Sequence, residues 1–166
     1  MKYVSTRDNS KDYSFEDVFI KGLADDGGLY VPKSLKKYNS EELSKLKNLS
    51  YNELSTDIIN QFSSDFISKD ELSSLVKKSY SAFREKEVVK ISSIKDLKLL
   101  ELFHGPTLAF KDVAMQFIGN LYEYYLSKND KKLNIVVATS GDTGAAAIDA
   151  IKGKSNLNIF VLHPNN

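Results

Sequence analysis

A chain of 166 residues with 42% hydrophobic and 27% charged residues has the content of an ordinary globular protein, which excludes disorder throughout. Its formal net charge is +1 and its arginines are Arg7 and Arg84 alone, so no basic stripe is available for a nucleic-acid backbone; Lys36-Lys37, Lys77-Lys78 and Lys131-Lys132 read as solvated positions. The lack of cysteine excludes disulfides, thiolate zinc sites and a cysteine nucleophile. No apolar run is long enough to span a bilayer, and Met1 to Asp8 lacks the apolar core of a secretory signal, so a cytoplasmic protein without membrane or metal chemistry is expected.

The first half of the chain reads as helices with repeated start signals. Ser14 with Asp17, Ser50 with Glu53, and Ser68 with Glu71 each match a capping box, in which two side chains satisfy backbone N–H groups left open at a helix start. Behind the first lie Phe15, Val18 and Phe19, with Gly22 as a stop. Behind the second lie Leu54, Ile58, Ile59, Phe62 and Phe66, and behind the third Leu72, Leu75, Val76, Tyr80 and Phe83, each set spaced as one stripe of a helix. Between the first two helices, Asp25-Asp-Gly-Gly-Leu-Tyr-Val-Pro32 predicts a tight turn into a short strand ended by proline.

From about Val88 the pattern changes. Short apolar runs at 88–91, 97–103, 135–138 and 159–162 alternate with helical segments, which predicts an α/β domain with a parallel sheet. The expected organisation is a helical domain with a short β element over residues 1–85, followed at 86–166 by the first part of an α/β domain. A parallel sheet ending near Asn166 would have an exposed edge, so the chain is expected to be the N-terminal part of a longer protein.

Two junctions carry candidate chemistry. Glu101-Leu-Phe-His-Gly-Pro-Thr-Leu-Ala-Phe-Lys111-Asp112 follows an apolar run and precedes a helix expected to carry Phe110, Val113, Ala114, Phe117, Leu121 and Tyr125 on one side. This places Lys111 at the helix start, beside the apolar stripe, with Phe110 as a wall or ring face and Asp112 able to orient or counter a cationic group. A lysine amine captures an aldehyde only when a useful fraction is neutral, which burial or a nearby positive potential such as a helix N-terminus provides. His104 reads equally as a general base or a brace for the turn. The second junction, Ala138-Thr-Ser-Gly-Asp-Thr-Gly144, opens an alanine-rich helix whose free N–H groups suit an anion. It matches neither a dinucleotide fingerprint nor a P-loop, and Ser140 has no histidine partner for a hydrolase triad.

These two segments resemble the cofactor-lysine and substrate-loop motifs of the threonine synthases, and Tyr3 to Asp8, Ser14-Phe-Glu16 and Lys21 to Pro32 resemble that family's opening. The resemblance implies a fold-type II pyridoxal-phosphate (PLP) enzyme, with a doubly wound parallel-sheet domain, converting O-phospho-L-homoserine and water into L-threonine and phosphate in amino-acid biosynthesis. It implies Lys111 as the Schiff-base residue and proton carrier. Phe110, Asp112 and Asp142 would lie at the cofactor, Asp142 capping its helix or approaching the phenolic oxygen, and Ser140, Gly141, Thr143 and Gly144 would bind the substrate carboxylate. It further implies that the cofactor-phosphate loop and the partner of the pyridine nitrogen lie beyond Asn166, leaving this chain an inactive N-terminal fragment. The alternatives are another fold-type II PLP enzyme, a hydroxyamino-acid dehydratase or a β-replacement enzyme, or a non-catalytic interaction module.

Overall fold

A computed structural model describes residues 1–165 and divides the chain into two compact units, Met1–Ser74 and the part from Leu75 onward. In the first unit, β1 (Tyr3–Ser5) pairs antiparallel with β2 (Tyr30–Pro32), and Val4 stands opposite Val31. The expected turn and strand at 25–32 form as read. β1 had no signal of its own, because three residues are too few to show alternation.

The helices of this unit are α1 (Phe15–Lys21), α2 (Ser40–Leu46) and α3 (Tyr51–Ser63), with α4 (Lys69–Tyr80) running across the division. Reciprocal capping boxes start α1 at Ser14–Asp17 and α3 at Ser50–Glu53, and Ser68 with Glu71 makes the same exchange ahead of α4. α2 was not expected. Its cap is Asn39, which accepts from the Glu42 N–H while Glu42 accepts from the Asn39 N–H, so a search limited to serine and threonine passes over it. Leu72 and Val76 are fully buried on α4, as the stripe predicted.

Tyr3 ties the strand pair to α3, its buried hydroxyl donating to the Phe62 carbonyl at 2.8 Å. Burial pushes this phenol up to about 12, with Asp65 adding to the shift. The folded-state value thus exceeds the ordinary value near 10, so the contribution is complete below about pH 10 and is lost as pH rises towards about 12. Tyr3→Phe should cost about 1 kcal/mol at neutral pH and flatten the alkaline limb of stability, measured by urea unfolding between neutral pH and about pH 11.

In the second unit, β3 (Lys90–Ile94) and β4 (Leu97–Glu101) form an antiparallel hairpin with Ile91 opposite Leu100. This corrects the expectation that every run after Val88 joins one parallel sheet: two residues, Lys95 and Asp96, separate the strands, and a parallel crossover needs about a dozen. Lys95 takes φ 54°, the left-handed backbone of a tight hairpin.

The parallel element follows. β5 (Leu133–Ala138) and β6 (Leu157–Leu162) pair in parallel with Ile135 beside Ile159, connected through α6 (Asp142–Ile151), while α5 (Asp112–Lys128) precedes β5. α5 and α6 pack closely because Gly119 leaves no side chain between them; a Cβ there would stand 2.7 Å from the Ala150 carbonyl oxygen. Ile135 and Val137 face this helix pair in a shared apolar groove. Val136, Phe160 and Leu162, on alternate positions, are all more than half exposed, in a sheet type that normally buries both faces. No helix among the described residues is long and apolar enough to cross a membrane.

Candidate active site

Lys111 is the N-cap of α5, half-buried, with φ −60° and ψ −28° already helical. The chain enters the helix through a tightened turn, in which the Asp112 N–H donates to Ala109 at 3.0 Å, Val113 to Phe110 at 3.3 Å and Ala114 to Lys111 at 3.1 Å. The open donors of this helix start are therefore consumed locally. The Lys111 Nζ lies 4.4 Å from the centroid of the Phe110 ring, so the expected ring face is present beside the amine.

The turn before Lys111 is held from both ends. Asp112 is completely buried and points backwards, accepting from the Thr107 N–H at 2.8 Å and from the Thr107 hydroxyl at 2.7 Å. Gly105 is buried against it, and a Cβ at Gly105 would fall on the Asp112 side chain well inside van der Waals contact. Leu108, in the middle, takes φ 62°, a left-handed conformation that costs of order 1–3 kcal/mol and persists only when its surroundings dictate it. At the far end, His104 Nε2 lies 2.8 Å from Glu101 Oε2, Ser92 on β3 donates to the other Glu101 oxygen, and the His104 carbonyl accepts from the Arg84 N–H at 2.9 Å. Of the two roles open to His104, the structure displays the brace.

The second junction is built differently. β5 ends at Ala138, and α6 takes Gly141 as its N-cap without any side-chain cap bond. The helix's own first bonds run from the Gly144 and Ala145 N–H groups to the Gly141 carbonyl, at 3.0 and 3.3 Å, and the Gly141 N–H meets the Thr139 hydroxyl at 3.4 Å. The donors that precede the first intrahelical bond are thus the N–H groups of Asp142 and Thr143. Asp142 stands exposed in the first turn, one residue inside the cap position expected of it, where its charge suits the positive end of the helix. Gly144 is buried against Thr139, leaving no room for a side chain, which is what keeps α6 tight against the end of β5.

Met115, one turn beyond Lys111, and Thr143 line the same apolar groove between α5 and α6, but Lys111 itself is not among the residues that line it. A second, open cleft at the carboxyl ends of β5 and β6 is lined by Thr139, Ser140 and His163, the position at which open α/β sheets receive ligands. His163 was not among the expected residues; its place at the end of a parallel strand next to Ser140 depends on the pairing of β6 with β5. Ser140 is exposed in this cleft, whereas the half-buried Thr143 lines the α5–α6 groove.

Against known proteins, the family model for the threonine synthase N terminus matches residues 2–80. The threonine synthase of Schizosaccharomyces pombe is 45% identical over 99% of this chain and 34% of its own length, and that of Pseudomonas aeruginosa is 40% identical over 100% of this chain and 36% of its own. The structure of the PLP-bound threonine synthase of Brucella melitensis superposes with a TM-score of 0.94 at 41% identity, covering 100% of this chain and 36% of that one. The chain thus spans about a third of the length of the relatives it matches.

Proposed function

From the similarity of the chain over its whole length to threonine synthases, we propose that the whole protein is a cytoplasmic PLP-dependent carbon–oxygen lyase of fold-type II that converts O-phospho-L-homoserine and water into L-threonine and phosphate, completing threonine biosynthesis. The observation that carries this reading is Lys111: a half-buried primary amine at a helix start, beside an aromatic ring, on a turn held rigid from both sides. That chemistry fits PLP, whose aldehyde needs one accessible amine on a fixed backbone.

When bound, PLP supplies an electron sink for negative charge developing at the substrate α-carbon. Lys111 Nζ is the atom that would hold it covalently and move protons at the substrate Cα and Cβ. The Phe110 ring walls the amine on one side. At the other junction, the Asp142 and Thr143 N–H groups receive the substrate carboxylate, with the Ser140 and Thr143 hydroxyls donating and the lack of side chains at Gly141 and Gly144 letting it approach. Asp142 is exposed in the first turn of α6 and would be the residue to approach the cofactor's phenolic oxygen. Overall, the bond from the γ-carbon to the phosphate oxygen breaks and water adds at Cβ.

The test uses the product of the complete reading frame, supplied with PLP and O-phosphohomoserine. Equal amounts of phosphate and threonine are expected; an enzyme that ignores O-phosphohomoserine but turns serine or threonine into an oxo acid would be a dehydratase instead. The 166-residue chain alone is expected to bind PLP weakly and release little phosphate, because it covers only the first third of its relatives' length.

A further inference from the structure

The proposed chemistry leaves Glu101, His104, Thr107 and Asp112 without a part, although all four lie within the twelve residues 101–112 that include the cofactor lysine. Asp112 is the most constrained of them. It is fully buried, both of its oxygens are taken by Thr107, and its side chain rests on the bare α-carbon of Gly105. A carboxylate so enclosed reaches no ligand unless the turn opens. What it does control is the path of residues 105–110, including the left-handed Leu108, and hence the point from which Lys111 leaves the backbone. The Glu101–His104 pair, tied to Ser92, anchors the opposite end of the same stretch to the β3–β4 hairpin.

We propose that Asp112, acting through Thr107 and Gly105, is a positioning residue that clamps the 105–110 turn so that the Lys111 amine is presented in one place, and that it works by shape and hydrogen bonding rather than by placing its charge near the cofactor. This rests on Lys111 being the covalent handle. The inference separates two roles that a neighbouring aspartate could play, since a counter-charge must face the cofactor whereas a clamp must face away.

Asparagine distinguishes them. In Asp112→Asn the amide oxygen can accept from the Thr107 N–H while the amide NH2 donates to the Thr107 hydroxyl, which turns round to accept; the clamp survives and the charge is gone. In Asp112→Ala both bonds are lost, and in Thr107→Val the hydroxyl bond alone is lost at nearly constant volume. The complete protein and its variants are incubated with PLP and reduced with borohydride, and the pyridoxyl-labelled peptide is quantified by mass spectrometry alongside the absorption maximum of the bound cofactor.

Asp112→Asn is expected to label at Lys111 close to the unaltered protein and with the same absorption maximum. Asp112→Ala and Thr107→Val should lose labelling at limiting PLP, with alanine approaching the ~10²-fold cost of a roughly 1 Å misplacement. Loss in the asparagine variant equal to that in the alanine variant, both being folded by circular dichroism, overturns the proposal in favour of a charge role. Undiminished labelling in Thr107→Val overturns it too, and decides the matter if the alanine variant does not fold. Absence of any label at Lys111 in the unaltered protein would instead bring down the functional reading itself.

Discussion

Lys111→Ala in the complete protein is expected to abolish borohydride-trapped PLP at this position and to lower phosphate release from O-phosphohomoserine by about 10²–10⁴-fold, the span a positioned proton carrier contributes. Lys111→Arg should be as inactive, because guanidinium keeps its charge at any working pH and cannot condense with an aldehyde. Neither change should unfold the protein. The side chain is half-buried and the turn beneath it is held by Asp112 and Thr107, so the expected stability change is within about 0.5 kcal/mol. Thermal unfolding of each variant beside its labelling measures both effects at once; wild-type turnover in Lys111→Ala would end the assignment of Lys111 as the covalent handle and proton carrier.

The largest stability effect is expected at Leu121. Only 2% of this side chain is exposed, on the helix that packs against α6 through Gly119, so truncation removes buried apolar area and leaves a cavity that a helix pair in such close contact cannot collapse. Leu121→Ala should cost about 2–5 kcal/mol, a large share of the total for a marginally stable domain. Leu100→Ala is the matched control. Leu100 is 58% exposed on β4, and its loss should fall within about 0.5 kcal/mol. Urea unfolding of the 166-residue chain carrying each substitution gives the comparison, and equal losses at the two positions would contradict the burial seen here.

The contrast between these two leucines marks where the sequence stops being legible. Both lie in apolar runs, and composition cannot say which run is covered. Leu121 was recognised because helical spacing puts it in line with Phe117 and Tyr125. Ala114, which shares that spacing, is exposed, while Gly119, Asn120 and Leu126 are buried off the line because α5 has neighbours on more than one side. The same limit applied to the strands. The runs at 88–103 were read correctly as β-prone, yet their membership of a separate hairpin follows from the two-residue connection rather than from the runs themselves. In the candidate site, local patterns put Lys111 at the start of α5 and the Ser140–Gly144 segment at the start of α6, as the structure has them, but they do not reveal the direction of Asp112 or the company of His104.

The starts of α1, α3 and α4, the candidate lysine, the anion-suited helix opening and the resemblance to the threonine synthases were legible in the sequence alone, because each is written in residues within a few positions of one another. Tertiary structure alone decided that Asp112 turns inward to Thr107, that Glu101 holds His104, that Gly119 lets two helices touch and that His163 arrives beside Ser140. Those outcomes depend on which surfaces come together, and burial and close contact are properties of pairs of segments that no single stretch of chain encodes.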